Sequence, residues 1–370
     1  MILDHLFLFN FKNIQEGDIS FNSKVNAIVG ENGSGKTNLL DAIYLLCFTK
    51  SAFNSIDSQL IRHGEQGYMV NGTFHKKEEK RMISVGYTDG QKKMVKANKK
   101  AYTKIGDHIG QYPSVLVSPY DQDMIHLGSE VRRKFFDAMI SQYNATYLDH
   151  LIKYNRTLKH RNSLLTQFFE ENYFDEILIT PFNNQLLESG FYIYETRKAF
   201  MIDFMNYFQK WIKRIAQEDT VVDITYEASL ETVNFKYHLT KNMQRDIKAR
   251  RTTIGTHKDD FTFLIDKQYL LKKFGSQGQQ KSCILALKLA QYELLKEKTS
   301  HKPLLLLDDV LDKLDGYKIN MLIQLIKSDE IGQVFVTDPN EARVRSLFAE
   351  IENITYYGVN RGEVKKEVLS

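Results

Sequence analysis

Eight residues, Gly30 to Thr37, carry the clearest chemical signal in this chain. Their sequence, Gly-Glu-Asn-Gly-Ser-Gly-Lys-Thr, matches the pattern G-x-x-x-x-G-K-[ST] of the phosphate-binding P-loop. The apolar stretch from Lys24 to Val29 predicts a strand before the motif, and the stretch from Asn38 to Leu46 predicts an amphipathic helix after it. A glycine-rich turn between strand and helix is the geometry that cradles phosphates. The simpler alternative is a turn that only connects the two elements.

Each part of the motif has a chemical role if the chain binds a nucleoside triphosphate. Glycines let backbone N–H groups approach the phosphates, and the helix N-terminus adds a positive dipole end. Lys36 would reach the β- and γ-phosphates, while the Thr37 hydroxyl would bind Mg²⁺. ATP and Mg²⁺ are therefore the predicted cofactors. The predicted cofactor-binding residues here are Gly30, Glu31, Asn32, Gly33, Ser34, Gly35, Lys36 and Thr37.

A second chemical signal lies near the other end of the chain. Four leucines, Leu304 to Leu307, predict a buried parallel strand that ends in Asp308 and Asp309. This is the Walker B arrangement, in which the first carboxylate binds the Mg²⁺ beside Thr37 and the second orients or deprotonates the attacking water. The alternative is a strand that ends in a solvated acidic loop. We predict Asp308 as a metal ligand and Asp309, with Lys36, as catalytic.

The two motifs are far apart, because most of the chain separates Thr37 from Asp308. A minimal P-loop core needs a much shorter separation. The intervening helical block is therefore predicted to be an insertion, and both ends of the chain are predicted to build one sheet. The expected fold is an α/β ATPase head with a first part at residues 1–119, an inserted helical lobe at 120–250 and a second part at 251–370. Within the first part, residues 68–105 predict antiparallel strands.

The inserted block contains two long helical patterns. Apolar residues recur at steps of three and four from Leu148 to Phe169, and again from Leu187 to Ile215. This spacing is typical of coiled coils, and Pro181 is predicted to separate the two helices. They can form a short antiparallel arm or belong to a compact lobe, and the sequence leaves both open.

Residues Phe274 to Ser282 predict the start of a long helix capped by Ser276. They resemble the signature motif of ATP-binding-cassette proteins, which closes over the γ-phosphate held by a second chain. Asp312 to Asp315 likewise resemble the D-loop that follows Walker B. The resemblance implies a head-to-tail homodimer, whereas the alternative is an ordinary capped helix. The residues expected to contact nucleotide in trans are Ser276, Gln277, Gly278, Gln279 and Asp315.

Composition limits the class of protein. The net charge is only +4, so a nucleic-acid site must be a local basic patch. No run of about 18 apolar residues occurs, which argues against a membrane partner, and Met1 to His5 lacks the basic start of a signal peptide. Cys47 and Cys283 lie in apolar helical patterns and are predicted to be buried thiols. We therefore expect a cytoplasmic protein.

In their order along the chain, the motifs resemble the RecF family, whose ATPase heads are related to those of SMC and Rad50. The segments that carry the resemblance are Leu8–Asn13, Gly30–Thr37, Leu60–Gly64, Ser118-Pro119 with Asp121, Arg132–Asp137, Gly255–Asp260, Ser276–Gln280 and Leu307–Val310. The resemblance implies ATP-dependent dimerisation, slow DNA-stimulated hydrolysis, and binding to DNA at single-strand gaps, single-strand/duplex junctions or duplex. It also implies the partners RecR and RecO and a functional link to RecA in recombinational repair and replication.

Basic residues that could contact DNA concentrate in the predicted antiparallel strands and at the start of the helical block. Lysines there suit sequence-independent, salt-sensitive contacts with phosphates. A solvated charged surface is an equally simple explanation. The candidates are Lys76, Lys77, Lys80, Arg81, Lys92, Lys93, Arg132 and Arg133, with Lys159 and Arg161 as additional ones.

Three positions depart from the expected motifs. Cassette ATPases carry a switch histidine after the strand that follows Walker B, whereas this chain has Thr337-Asp338. Lys12 and Lys258 stand where arginine is expected, so the charge is kept and the bidentate fork is lost.

His257 with Asp259 and Asp260 could form a catalytic trio, but a hydrogen-bond network explains them at least as well, and we assign them no catalysis.

Three other classes of protein share some of these signals. A transporter ATPase has the same motifs but is normally shorter between them and has a more glycine-rich signature. SMC and Rad50 proteins have arms of hundreds of residues, and Rad50 adds a C-x-x-C hook that this sequence lacks. In a non-enzymatic alternative, ATP only holds the dimer together and its turnover is incidental.

Overall fold

The computed structural model describes residues 1–76, 78–216, 221–229 and 235–366. Its strands are β1 Ile2–Phe11, β2 Ile14–Ser20, β3 Val25–Val29, β4 Gly67–Lys76, β5 Glu79–Thr88, β6 Met94–Ala97, β7 Lys100–Ala101, β8 Ser114–Val117, β9 Val222–Glu227, β10 Asp260–Ile265, β11 Tyr269–Leu270, β12 Leu304–Asp308, β13 Val334–Asp338, β14 Ile354–Asn360 and β15 Glu363–Lys366. Its helices are α1 Lys36–Phe48, α2 Asp123–His126, α3 Ser129–Ser141, α4 Ala145–Glu170, α5 Glu176–Ile215, α6 Phe235–Lys241, α7 Met243–Ala249, α8 Leu271–Phe274, α9 Gln277–Thr299, α10 Gly316–Lys327 and α11 Glu341–Leu347.

These elements form two compact units. The first unit consists of residues 1–121 and 291–370, and the second unit consists of residues 122–290. Both ends of the chain therefore build the first unit, as the separation of the two motifs predicts. The boundary predicted after residue 250 lies instead after Ala290. The reason is that β10 pairs with β9 and β11 in a separate three-stranded sheet of the second unit.

The central sheet of the first unit has the strand order β15-β14-β3-β13-β12-β8. Strands β14, β3, β13, β12 and β8 are parallel, while β15 is antiparallel to β14. Every residue of β3, β12 and β13 is buried, which explains their continuous apolar sequences. The register places Thr337 beside Asp308 and Asp338 beside Val29. The carboxyl ends of three neighbouring strands thus meet at one edge of the sheet.

A second sheet in the first unit is antiparallel, with the order β2-β1-β4-β5-β6-β7. Asp89 and Gly90 lie in the turn between β5 and β6. Helix α1 packs against β1, β4 and β5 of this sheet and against β12 and β13 of the central sheet. Its apolar residues, including Leu39, Leu40 and Ile43, are buried in a single core with both sheets. This packing holds the start of α1, and with it the P-loop, at the edge of the central sheet.

In the second unit, α4 and α5 form an antiparallel hairpin. Lys153 contacts Glu188 at 2.9 Å, and Arg161 contacts Asn183 at 2.7 Å, so residue numbers rise on one helix as they fall on the other. At the tip, a small apolar cluster formed by Leu165, Phe168 and Ile179 packs against Met243 and Ile247 of α7. Of the two forms that the sequence left open, the two long helices therefore form the arm, with α7 packed against it near the tip, where Tyr173 and Ile177 are exposed.

The helix boundary in this hairpin differs from the prediction. Pro181 lies inside α5 and does not separate the helices. The break comes earlier, because the Asp175 carboxylate accepts hydrogen bonds from the backbone N–H groups of Ile177 and Leu178 and so caps α5. Pro181 is the sixth residue of α5, so the helix continues through it without the hydrogen bond that a backbone N–H at this position would donate.

The buried face of α4 also differs from the predicted apolar stripe. Tyr147, Tyr154 and Arg161 are buried, whereas Leu148 is only partly covered and Phe169 is 41% exposed. The guanidinium of Arg161 donates to Asp246 at 2.8 Å, to Thr252 at 2.7 Å and to Asn183. Leu165 is also buried on this helix, so the orientation of α4 is set by apolar packing together with this polar network. The network also corrects Arg161 as a DNA candidate, because its side chain is fully buried.

A second buried network joins two of the family motifs. Arg197 on α5 is 2% exposed and makes two hydrogen bonds to the Asp137 carboxylate. The same guanidinium donates to Asp259 at 3.0 Å, and Arg132 makes two hydrogen bonds to Asp260. The motifs Arg132–Asp137 and Gly255–Asp260 therefore contact each other within the second unit and stabilise its fold.

Both cysteines are buried, as predicted. Burial raises the pKa of the Cys47 thiol to about 12 and raises that of Cys283 further, so both are inert thiols at neutral pH. Among the described residues, no helix combines the length and the apolar character that a membrane crossing requires.

Replacing Arg161 by methionine should destabilise the second unit. Arg161→Met leaves the Asp246 carboxylate, which is 1% exposed, without its cation. Breaking a buried ion pair in this way lowers the free energy of unfolding by about 3–5 kcal/mol. Urea unfolding followed by circular dichroism measures the change. Arg156→Met, at an exposed position of the same helix, is the control and should change stability by less than about 0.5 kcal/mol. Equal effects of the two substitutions would contradict the role given to Arg161.

Candidate nucleotide-binding site

The P-loop forms the turn between β3 and α1, and its glycines are required by backbone geometry. Gly30, Gly33 and Gly35 have φ angles of +153°, +79° and +118°, which L side chains rarely adopt. A Cβ on Gly30 would lie 2.2 Å from the carbonyl oxygen of Val359. A Cβ on Gly35 would lie 2.8 Å from the side-chain nitrogen of Asn13. Two of the glycines are thus needed for close packing of the loop within the first unit.

Asn13 supports the loop, a role that the sequence did not suggest. Its Nδ2 donates to the Ser34 carbonyl oxygen at 3.1 Å, and its Oδ1 accepts from Asn38 Nδ2 at 2.8 Å. The backbone N–H of Gly362 donates to the same Ser34 carbonyl at 2.8 Å. The turn between β1 and β2 and the turn between β14 and β15 therefore fix the shape of the P-loop. The position of Asn13 within the Leu8–Asn13 motif was the available signal.

Lys36 is held inside the P-loop. Its ammonium donates to the carbonyl oxygens of Gly30 at 2.8 Å and Glu31 at 3.0 Å, and the residue is 4% exposed. These carbonyl oxygens hold the side chain among the other predicted phosphate-binding residues.

A direct hydrogen bond joins the P-loop to Walker B. Thr37 Oγ1 donates to Asp308 Oδ1 at 2.9 Å, across a separation of 271 residues in the chain. Thr337 Oγ1 donates to the same carboxylate oxygen at 2.9 Å and accepts from the backbone N–H of Asp309 at 3.0 Å. Burial raises the pKa of Asp308, and the hydrogen bonds from Thr337 and Thr37 partly oppose this shift. Two hydroxyls thus stabilise the ionised carboxylate.

The donor set at this point fits Mg²⁺. Hydroxyl and carboxylate oxygens are ligands that Mg²⁺ accepts, and it commonly keeps several waters besides one or two carboxylates. Thr37 Oγ1 and Asp308 Oδ1 are close enough to bind one ion. A bound cation would also compensate the desolvation of the Asp308 carboxylate. When present, Mg²⁺ would neutralise phosphate charge.

Asp309 follows Asp308 at the same edge of the sheet. It has a φ of +47°, and its half-buried carboxylate lies 3.4 Å from the Thr337 hydroxyl. Thr337, which with Asp338 stands where a switch histidine is expected, therefore contacts both Walker B acids. No sequence pattern indicates a role for this hydroxyl, because the contact depends on the register between β12 and β13.

The segment that resembles the signature motif begins α9 in the second unit. Ser276 Oγ accepts from the backbone N–H of Gln279 at 3.1 Å, and Gln279 Oε1 accepts from the backbone N–H of Ser276 at 2.8 Å. This reciprocal pair is a capping box. Gln277 and Gly278 are exposed beside it. Asp315, in the first unit, caps α10 through the backbone N–H of Lys318, and hydrogen bonding to Lys318 lowers the pKa of its carboxyl.

The basic DNA candidates differ in how much of their charge is available. Lys80 and Lys92 are exposed, whereas Arg81 pairs with Glu79 at 2.7 Å and Lys93 pairs with Asp57 at 2.6 Å. Lys76 is partly buried at the end of β4, and Lys77 lies outside the described residues.

The structure corrects the DNA prediction for Arg132. Its side chain is 9% exposed, and both arms of its guanidinium bind Asp260. The neighbouring Arg133 is partly buried and donates to Ser129 Oγ and to the carbonyl oxygen of Asp259. A contact between Arg133 and DNA stays a prediction.

His257 belongs to a hydrogen-bond network of the second unit. Its Nε2 donates to the Thr252 carbonyl oxygen at 3.0 Å, so its Nδ1 accepts from the Tyr154 hydroxyl at 2.8 Å. Burial lowers the pKa of His257 to about 4, which keeps the ring neutral at physiological pH. Asp259 is bound by Arg197, Tyr226 and Ser229. His257 and Asp259 thus belong to a hydrogen-bond network within the second unit, and we assign the trio no catalysis.

The P-loop, the Walker B acids and the parallel sheet built from both chain ends around a helical insertion define an SMC-type ATPase head. A family model described as RecF/RecN/SMC N terminal domain matches residues 2–357. The DNA replication and repair protein RecF of Flavobacterium johnsoniae is 42% identical over 347 residues, covering 94% of this chain and 96% of the relative. RecF of Cytophaga hutchinsonii is 40% identical over 99% of this chain and 97% of the relative. The chain belongs to the RecF family.

Solved structures support the same assignment. The recombination mediator protein RecF of the RecFOR pathway, in forms with ATP and with ATPrS, matches with a TM-score of 0.88 at 32% identity. Each match covers 99% of this chain and 98% of the solved chain. The Smc head domain of Pyrococcus furiosus matches with a TM-score of 0.56 at 18% identity, which shows a shared fold alone.

Two glycine substitutions in the P-loop should differ in their effect on stability. Gly30→Ala places a methyl group against the Val359 carbonyl, whereas no described atom lies within 4 Å of a Cβ on Gly33. Gly33→Ala should therefore cost only the strain of positive φ, about 1–2 kcal/mol. Gly30→Ala should cost at least about 2 kcal/mol more, because the backbone must shift. Thermal unfolding of the two variants tests this order, and an equal or reversed order would contradict the packing described for Gly30.

Proposed function

We propose that this chain is an ATP-dependent DNA-binding protein of replication and recombinational repair, in which ATP hydrolysis switches a homodimer. The Thr37–Asp308 hydrogen bond carries this proposal, because it joins the phosphate-binding and metal-binding residues into one site. Lys36 would bind the β- and γ-phosphates, Thr37 and Asp308 would hold Mg²⁺, and Asp309 would orient the attacking water. Similarity along almost the full length to proteins named DNA replication and repair protein RecF supports the biological assignment.

The second half of each ATP site would come from another copy of the chain. Ser276, Gln277 and Gly278 are exposed at the N-terminus of α9, where the helix dipole and the first backbone N–H groups favour an anion. The capping box fixes this segment before any ligand is bound. Gln279 and Asp315 would complete the contact in trans. Hydrolysis would be slow and stimulated by DNA, so that the lifetime of the dimer, and not rapid turnover, is the useful output.

DNA would bind through phosphate contacts that do not depend on base sequence. The preferred forms would be single-strand gaps, single-strand/duplex junctions and duplex. Lys80 and Lys92 are the exposed members of the proposed surface. Phosphate contacts by lysine make affinity strongly dependent on salt.

The proposed partners are RecR and RecO, with a functional link to the loading of RecA on DNA in the cytoplasm. The description of a solved relative as a recombination mediator protein of the RecFOR pathway supports this proposal. The proposal includes no membrane partner.

Two substitutions should separate ATP binding from dimer formation. Lys36→Ala and Ser276→Arg should both abolish the ATP-dependent gain in affinity for gapped duplex DNA. Lys36→Ala should also weaken ATP binding by about tenfold or more, because it removes charge-assisted hydrogen bonds to phosphate. Ser276→Arg should leave ATP affinity unchanged, since its nucleotide contact is made in trans. DNA binding by fluorescence anisotropy and ATP binding by calorimetry measure the two effects.

Ser276→Ala is the matched control for Ser276→Arg, because it removes the helix cap without adding bulk at the proposed interface. Its stability should fall by about 1 kcal/mol, and its ATP-dependent DNA binding should decrease less than that of Ser276→Arg. An equal loss of ATP affinity in Lys36→Ala and Ser276→Arg would contradict a composite site.

The exposed lysines of the antiparallel sheet should contribute to the salt dependence of DNA binding. The double substitution Lys80→Gln with Lys92→Gln should reduce the slope of log affinity against log salt by about 1.8, since each phosphate contact contributes about 0.9. Titrations of duplex DNA at several salt concentrations measure the slope. Lys365→Gln with Lys366→Gln removes the same charge from exposed positions of β15 and should leave the slope unchanged. Identical slopes for both doubles would exclude the proposed surface.

A further inference from the structure

The carboxylate at the end of β13 occupies a special place at the candidate ATP site. Asp338 pairs in register with Val29, the residue before the P-loop, and follows Thr337, which pairs with Asp308. It therefore lies between the P-loop strand and the Walker B strand. Asp338 is fully buried. A carboxylate at this point cannot itself donate a hydrogen bond to a phosphate.

Asp338 instead holds an arginine. Arg343 Nη2 donates to the two carboxylate oxygens at 2.7 and 2.8 Å, and its Nε donates to Oδ2 at 3.1 Å. The backbone is equally constrained, because Asn340 caps α11 through the N–H of Arg343 and Asp338 Oδ1 accepts from the N–H of Asn340. The guanidinium thus has a fixed orientation before any ligand binds.

The same guanidinium remains open to a ligand. Its side chain is 30% exposed, although its partner is fully buried. The contacts to Asp338 use Nε and Nη2, and within the part of the chain that the structure describes, no recorded contact engages Nη1. Neutralising Asp338 does not require the guanidinium to be exposed.

The acidic residues at this edge of the sheet favour a nearby cation. The hydrogen bond with Asp338 raises the pKa of Arg343, burial partly opposes this shift, and the negative charges of Asp338, Asp312 and Asp309 add to it. A triphosphate adds further negative charge to these carboxylates. Lys36 and a bound Mg²⁺ would offset part of it, and Arg343 supplies another positive charge.

We propose that Arg343 donates a hydrogen bond to the γ-phosphate of ATP held by the P-loop of its own chain, with Asp338 fixing its direction. This inference rests on the proposed ATP-binding function. Arg343 would be a nucleotide-sensing residue, because ADP lacks the group that it binds. Asp338 would be a positioning residue that acts only through Arg343.

The test compares the affinities of ATP and ADP, in the presence of Mg²⁺, for the full chain and its variants by calorimetry. Arg343→Ala should weaken ATP binding about tenfold, as expected for one charge-assisted hydrogen bond, and should change ADP binding less than about twofold. Arg343→Lys keeps the charge and should recover part of the ATP affinity.

A second variant controls for misfolding, because Arg343→Ala leaves the Asp338 carboxylate buried without its cation. Asp338→Asn with Arg343→Gln removes both charges at similar volume, should keep the wild-type unfolding temperature and should lose the same selectivity for ATP. Arg345→Gln, two residues along α11, removes a cation that pairs with Glu341, and it should bind both nucleotides like the wild type.

The outcomes distinguish the inference from the proposed function. If the wild-type chain does not bind ATP, the proposed function fails first, and the inference falls with it. If the wild type binds ATP and the neutral double variant keeps the wild-type ratio of ATP to ADP affinity, the role of Arg343 is overturned. Equal weakening of ATP and ADP in Arg343→Ala would likewise assign Arg343 to structure alone.

Discussion

The hydrogen bond between Thr37 and Asp308 is the contact on which the candidate site depends. Neither residue can reach the other unless β13 lies between β3 and β12 in the observed register, because these strands carry the two motifs to the same edge. The buried Asp308 carboxylate is disfavoured in its ionised form. The hydroxyls of Thr337 and Thr37 offset part of this desolvation, and a bound metal ion would offset more of it. The site therefore couples the order of strands in the sheet to the chemistry of a single carboxylate.

In the second unit, buried charges stabilise the fold. Its buried arginines, Arg161 and Arg197, bind carboxylates inside the fold, and these pairs determine which side of each helix faces inwards. Buried ion pairs add little net stability compared with apolar packing, but removing one partner is strongly destabilising. The motif residues Asp137 and Asp259 are explained by this constraint. Both residues belong to motifs that resemble the RecF family, and their contacts serve the fold and not catalysis.

Sequence reasoning worked where a local pattern determines structure. The P-loop spacing, the four leucines of β12 and the separation between them were sufficient to predict a sheet built from both chain ends. It failed where contacts between residues far apart in the sequence determine the structure. Pro181 predicts a break between helices, but the structure places the break before Asp175, which caps α5. The apolar pattern of α4 does not reveal its buried face, because the buried residue Arg161 is charged. Its partner Asp246 lies far along the chain. The support from Asn13 and the clamp between Asp338 and Arg343 similarly depend on register and loop packing, which one sequence does not display.

The arrangement of strands around β3 has a consequence for synthesis of the protein. The P-loop is encoded near the start of the chain, but β3 pairs with β13 and β14, and the loop rests against Val359 and Gly362. The second unit, by contrast, is one continuous stretch that is complete when Ala290 has emerged. At usual rates of translation, β13 and β14 are synthesised on the order of tens of seconds after the P-loop. On the ribosome, the middle of the chain can fold first, and the P-loop acquires its final shape only when the last strands arrive.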